Sequence, residues 1–160
     1  MLVNKPVIVR ASVHHIDDIV TIEKLCFKIP WSRKSIEDEI IRNKSAIYFC
    51  AVDNGRTLGY CGMWQVIDEG YITNIAVHPE FRNCGIGSLL MDALLKEAEA
   101  KGIKALTLEV RKSNLTAQAL YRKYGFESGG IRKRYYADNN EDAIIMWKRL
   151  APDGDRGTEA

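Results

Sequence analysis

Apolar residues recur along the chain with two spacings, every second position and every third or fourth, and the two kinds of stretch follow one another in a definite order. Val7-Ile8-Val9-Arg10 reads as a short opening strand. Ser12 then caps a helix that carries Ile16, Ile19, Val20 and Ile22 on one broad stripe. Glu23 falls inside that stripe, a carboxylate where an apolar side chain is expected. Phe27 to Ser32 contains Pro30-Trp31, an aromatic on a restricted loop. Ser32 caps a second predicted helix running to about Asn43, with Ile36, Ile40 and Ile41 buried.

Ala46 to Val52 is strand-like, and Asp53-Asn54-Gly55-Arg56 supplies the Asn-Gly of a tight hairpin. Leu58 to Val66 returns as a second long strand, and Tyr71 to Val77 is a third, ended by His78-Pro79. Ile86, Leu89, Leu90, Ala93 and Leu94 then repeat at helical spacing, to a stop at Gly102. Ala105 to Val110 is a strand, and Asn114 to Tyr124 a helix with Ala117, Leu120, Tyr121 and Tyr124 on one face. Phe126 to Tyr136 and Ala143 to Leu150 read as a closing antiparallel pair around Asp138-Asn139-Asn140. The expectation is one α/β domain over residues 1–150, with about seven strands and about four helices. A polar tail over 151–160 is expected to be disordered.

Composition narrows the class without naming a function. Hydrophobic content of 46% and charged content of 28% over 160 residues are those of a soluble globular domain. A net charge of +2 gives no general argument for nucleic acid or an anionic membrane as the main partner. Met1 to Pro6 lack the apolar core of a signal peptide, and the longest apolar runs, such as Ile47 to Val52, fall far short of a membrane span. Cys26, Cys50, Cys61 and Cys84 form no CxxC pair, and scattered thiols suit a reducing cytoplasm. They make no zinc pattern with His14, His15 and His78, so no metal is expected.

The strongest chemical signal is Arg82-Asn83-Cys84-Gly85-Ile86-Gly87, between a strand and a helix. A helix N-terminus presents unpaired N–H groups and a partial positive charge, which suit phosphate oxygens. Gly85 and Gly87 let backbone approach a ligand closely, Ser88 opens the helix, and Arg82 adds a charge at the entrance. The segment is not a Walker loop, since no Gly-Lys-Ser/Thr follows. Nor is it a dinucleotide fingerprint, because Leu90 stands at the third glycine position.

Arg82-x-x-Gly85-x-Gly87 in this order of elements resembles the GNAT acetyltransferases, more narrowly the RimI subfamily of ribosomal-protein alanine N-acetyltransferases. Carrying that resemblance are Glu23-x-x-Cys26-Phe27-x-x-Pro30-Trp31-Ser32, Asn74-Ile75-Ala76-Val77, Leu108-Glu109-Val110-Arg111, Ser113-Asn114, Ala119-Leu120-Tyr121, Gly125-Phe126, Tyr135-Tyr136 and Asp142-Ala143-Ile144-Ile145-Met146. They span roughly residues 7 to 149. The resemblance implies a mixed, twisted central sheet, acetyl-CoA as donor, and the N-terminus of a ribosomal protein as acceptor.

Such a reaction needs a base for the amine proton and an acid for the departing thiolate. Glu109 alternates against Leu106, Leu108 and Val110, so it faces away from the core near the carboxyl end of its strand. A solvated strand-end glutamate would look the same; the resemblance makes it the proton acceptor. Tyr121 lies on the apolar face of its helix, as a core aromatic would, and the resemblance makes it the acid. Asn114 has two readings, helix cap or coenzyme ligand. Ile75, Ala76 and Val77 are implied to serve the pantetheine arm and the thioester carbonyl through their backbone, and Asn83 to Ser88 to hold the pyrophosphate through N–H groups. Cys84 could have a lowered pKa at a helix N-terminus, but no partner histidine is evident, and the resemblance implies direct transfer.

For the acceptor, Glu23, Trp31, Tyr135 and Tyr136 are candidate walls of a peptide groove. Glu23 reads equally as a buried polar group in a local network, and Trp31 as core. Arg132-Lys133-Arg134-Tyr135-Tyr136 mixes basic and aromatic residues, yet is too short to argue an RNA surface and fits a solvated edge strand. A small-molecule amine as acceptor, and a non-catalytic acyl-CoA-binding module, are the alternatives; a mere binder needs neither Glu109 nor Tyr121.

Overall fold

The computed structural model describes residues 5–150, so the tail expected over 151–160 lies outside the described residues. Seven strands form one sheet: β1 (Val7–Arg10), β2 (Ala46–Asp53), β3 (Arg56–Val66), β4 (Glu69–Val77), β5 (Ala105–Arg111), β6 (Glu127–Tyr136) and β7 (Glu141–Arg149). Their order is β1-β2-β3-β4-β5-β7-β6. The β4–β5 pair is parallel, Glu69 against Ala105 to Tyr71 against Thr107, while β1–β2, β2–β3, β5–β7 and β6–β7 are antiparallel. The sheet is therefore mixed, as expected. Four α-helices accompany it: α1 (Ile16–Cys26), α2 (Arg33–Glu37), α3 (Ile86–Ala100) and α4 (Leu115–Lys123). The described residues divide into two compact units, one running to Gln65 and including Ile72–Glu97, the other Val66–Tyr71 with the chain from Ala98 onward.

In the first unit, Ser12 caps a 3-10 turn, Val13–His15, whose His15 bonds back to the Ser12 backbone in a capping box. The helix proper starts only at Ile16. Ile16, Ile19 and Ile22 then bury against Ile36, Tyr48, Cys50, Tyr60 and Ala76. Each such isoleucine contributes about 1.5–3 kcal/mol relative to exposure. Asn54 (φ 53°) and Gly55 (φ 76°) form the β2–β3 turn, where two left-handed residues match the twist of the flanking strands.

Ile41, expected in the core, is 50% exposed. The cause is a change of helical pitch. Beyond Glu37 the helix widens into a π turn, Asp38–Arg42, closed by the Asn43 amide on the Asp38 carbonyl at 2.8 Å. The wider turn rotates the stripe, leaving Ile40 packed on the core and Ile41 facing out.

In the second unit, β5 alternates as its sequence predicts, with Leu106, Leu108 and Val110 buried and Thr107, Glu109 and Arg111 on the other face. The α4 face contains a polar member that the apolar spacing did not predict. Gln118 is buried, and its Nε2 donates to the carbonyls of Arg111 (3.0 Å) and Lys112 (2.9 Å). It thereby ties the helix to the end of β5. Tyr121, one turn on, is 8% exposed against the Phe126 ring.

Candidate active site

Glu109 is the centre of a polar cluster in the second unit. Its strand runs between β4 and β7, and parity turns its carboxylate to the face opposite the Leu106–Leu108–Val110 core. Tyr71, the last β4 residue paired in register with β5, donates its hydroxyl to Glu109 Oε1. From β6, beyond β7, Arg132 Nε donates to Oε2 at 3.0 Å. The Glu109 side chain is 10% exposed, whereas that of Arg132 is 56% exposed. A carboxylate so held has both oxygens aimed by other side chains, and its one cation sits largely in solvent. Burial raises the Tyr71 phenol above its usual 10, as do the bond and charge of Glu109 and the nearby Tyr135. Tyr71 therefore stays protonated and keeps donating.

Neither Tyr71 nor Arg132 was a candidate from the sequence. Parity within β5 picks out Glu109. The residues that grip it depend on which strands lie beside β5, and on the register between them.

The candidate groove residues Tyr135 and Tyr136 end β6, their rings edge to face at 5.1 Å. Tyr135 is 45% exposed. Tyr136 lies beneath the Arg111 guanidinium, 4.0 Å from its ring centroid. Burial pushes the Tyr136 phenol up to about 12, against the opposing charge of Arg111. Arg111 in turn bonds Asp138 (2.9 Å) and Glu141 (3.2 Å), and Glu141 accepts the Ser113 amide at 2.6 Å. Bonds from Ser113, then Arg111 and Asn139, hold the Glu141 carboxyl at about 2, below its usual 4.5. A depressed carboxyl pKa stabilises the fold at pH above the unfolded value, and that stabilisation disappears as pH falls through the folded one. Wild type should thus melt above Glu141→Gln at neutral pH, and the gap should close between about pH 4.5 and 2. Melts of the two proteins across that range check this; a gap as wide at pH 2 as at neutral pH would refute it.

Asn114 is the N-cap of α4, its Oδ1 accepting the Ala117 amide at 3.1 Å. The capping reading is thus observed.

In the first unit, the glycine turn has the form that phosphate binding asks for. Asn83 (φ 63°) and Gly85 (φ 81°) are both left-handed, and a Cβ built on Gly85 would meet nothing within 4 Å. Residues 82–85 are exposed, and the Leu89 amide closes the first turn of α3 on the Gly85 carbonyl at 3.1 Å. Ile86 is buried and anchors the helix, with Gly87 and Ser88 half-buried behind it. An open left-handed glycine at the N-terminus of a 15-residue helix fits an anionic phosphate group.

Arg82 departs from a simple charge at the entrance. Its Nε donates to the Val77 carbonyl (3.2 Å) and its Nη2 to Cys26 Sγ (3.3 Å), pinning the turn to the end of β4. Desolvation raises the Cys26 thiol despite that guanidinium. Cys84 is exposed, with its Sγ towards the Arg82 carbonyl at 3.6 Å. Of the β4 trio, Ala76 is buried, and Ile75 and Val77 are half-buried.

Glu23 is 1% exposed and sits at the hub of a second network. Oε1 accepts the Trp31 amide at 2.8 Å; Oε2 accepts the Tyr60 hydroxyl and Asn74 Nδ2, the latter at 3.0 Å. The polar residue in an apolar stripe is thus a buried acceptor with three donors, and it fixes the loop that carries Trp31. Trp31 itself packs half-buried against the core of this unit. Among the described residues, no cluster of three or more His, Cys, Asp or Glu could hold a metal ion, and no helix is long and apolar enough to cross a membrane.

Comparison with known proteins agrees with this geometry. The family pattern "Acetyltransferase (GNAT) family" matches residues 16–126, from α1 through the turn, Glu109 and α4 to Phe126. A Bacillus subtilis (strain 168) protein, named provisionally a ribosomal protein bS18-alanine N-acetyltransferase, is 45% identical over 132 residues, covering 82% of this chain and 87% of its own. The ribosomal protein bS18-alanine N-acetyltransferase of Escherichia coli (strain K12) is 38% identical over 127 residues, covering 78% and 84%. The crystal structure of the ribosomal-protein-S18-alanine N-acetyltransferase from Escherichia coli superposes with a TM-score of 0.86 at 33% identity, covering 94% of this chain and 97% of that one. An open glycine turn at a helix start, a carboxylate held by two side chains and a match over most of the chain lead to one conclusion: this chain is a member of the GNAT acetyltransferase family.

Proposed function

We propose that this protein moves the acetyl group of acetyl-CoA to the N-terminal alanine amine of ribosomal protein bS18, by direct attack. The acceptor is taken from the relatives of Bacillus subtilis and Escherichia coli, whose lengths the chain covers by 87% and 84%. The observation that carries the chemistry is Glu109, a carboxylate at 10% exposure with both oxygens oriented by Tyr71 and Arg132.

An amine attacks a thioester only as the free base, so the ammonium must lose a proton before or during attack. Glu109 accepts it, directly or through the Tyr71 hydroxyl, which already donates to Oε1. The thioester brings an activated acetyl group; the chain's own residues hold it and move protons. The exposed turn from Arg82 to Ser88 holds the pyrophosphate on N–H groups of Asn83, Cys84, Gly85, Ile86, Gly87 and Ser88. Backbone of Ile75, Ala76 and Val77 pairs with the pantetheine arm and polarises the thioester carbonyl. Asn114 offers its amide nitrogen to the coenzyme, its oxygen being committed to the α4 cap. Tyr121 gives its phenolic proton to the departing thiolate. Trp31 in the first unit, and Tyr135 and Tyr136 in the second, are the residues proposed to contact the acceptor, and Glu23 fixes the Trp31 loop. Cys84 takes no covalent part. The reaction belongs in the cytoplasm, where ribosomal proteins and acetyl-CoA meet.

Incubation with acetyl-CoA and an alanine-initiated bS18 N-terminal peptide should release thiol and add one acetyl group at the α-amine. Release with small amines such as polyamines, and none with the peptide, would overturn the acceptor. Coenzyme binding without turnover of any amine or ribosomal protein extract would make the chain a binding module.

A further inference from the structure

The Glu23 network reaches β4 at Asn74. Asn74 Nδ2 donates to Glu23 Oε2 at 3.0 Å and to the Tyr60 hydroxyl at 3.1 Å. An amide nitrogen has two hydrogens, and both are thereby spent inward. The reverse orientation would set the amide oxygen against a carboxylate oxygen. Tyr60 cannot relieve that clash, since its own proton goes to Glu23. Burial, then the Glu23 charge, keeps the Tyr60 phenol well above its usual 10, so this donor persists. The network therefore sets which way the amide faces, and the Asn74 oxygen is left for a donor from outside it. Asn74 is half-buried and immediately precedes Ile75-Ala76-Val77 on β4.

We propose that Asn74 Oδ1 accepts a hydrogen bond from the attacking amine, with Glu23 and Tyr60 as the residues that orient it. The inference rests on the acetyl-transfer reading. A neutral primary amine carries two N–H bonds. As its lone pair forms the C–N bond and the C–S bond breaks, one N–H proton leaves to the base and the thiolate is protonated. The other N–H survives in the amide product, and it is this one that Asn74 holds. Holding it aims the lone pair and selects primary amines. A neutral secondary amine has a single N–H, which the reaction itself removes.

The test compares an alanine-initiated peptide with its N-methylalanine counterpart, as the ratio of their kcat/KM values. Asn74→Ala should lower that ratio roughly five- to ten-fold, about the worth of one hydrogen bond. The loss should fall on the primary amine, with coenzyme affinity unchanged. Glu23→Gln is the second variant. Its amide can present an N–H to Asn74, turning the Asn74 oxygen inward, so the ratio should fall although Asn74 is intact. Should Asn74→Ala not fold, Glu23→Gln carries the decision. An unchanged ratio in the folded variants would overturn the inference while the transfer reading stands. Turnover of neither peptide by wild type would bring down both.

Discussion

Glu109→Gln should slow acetyl transfer by about 10²- to 10⁴-fold near neutral pH, the usual worth of a positioned general base. Affinity for acetyl-CoA should stay within about two-fold, because the change removes a proton acceptor and none of the groups proposed to hold the coenzyme. The substitution keeps shape and one acceptor oxygen, which can serve Tyr71 or Arg132 but not both, so the loss is mainly of basicity rather than of packing. The pH dependence carries the sign. At low pH nearly all acceptor is ammonium, and a protein base is needed most. As pH rises the free amine accumulates and water or hydroxide can take its proton, so the variant should recover relative to wild type. The deficit is thus largest at the acid end and shrinks towards alkaline pH. Single-turnover rates from about pH 6 to 9, with coenzyme affinity measured separately, give both readings. A variant with unaltered turnover across that range would remove Glu109 from its role.

Parity along β5 was enough to place Glu109 off the core face, because alternation is local. The left-handed turn at Gly85 was readable because few residues other than glycine go there. Tyr71 and Arg132 were not readable, since each reaches Glu109 from another strand and only the β4-β5-β7-β6 order brings them near. Ile41 was misplaced because spacing assumes one helical pitch, and the π turn at Asp38–Arg42 changes it. Glu23 was visible only as an anomaly. A carboxylate within an apolar stripe signals a buried network, but its three donors come from a loop, β3 and β4.

Those three donors make Glu23 a position where truncation should cost much stability. Glu23→Ala removes the acceptor and leaves the Trp31 amide, the Tyr60 hydroxyl and Asn74 Nδ2 without it, at a site that is 1% exposed. Stranding a buried donor costs about 1–3 kcal/mol, and breaking a buried charged network about 3–5 kcal/mol in all. For a chain of this size that is a fall in melting temperature of roughly 6–20 °C. Glu23→Gln should cost less, because its oxygen still accepts the Trp31 amide and Asn74 can turn to receive its nitrogen. The order wild type, Gln, Ala therefore separates a structural hub from a side chain that only touches substrate. Thermal melts of the three proteins without acceptor decide the matter. If Glu23→Ala melted with wild type, Glu23 would be no hub, and the orientation of Asn74 would lose its physical basis.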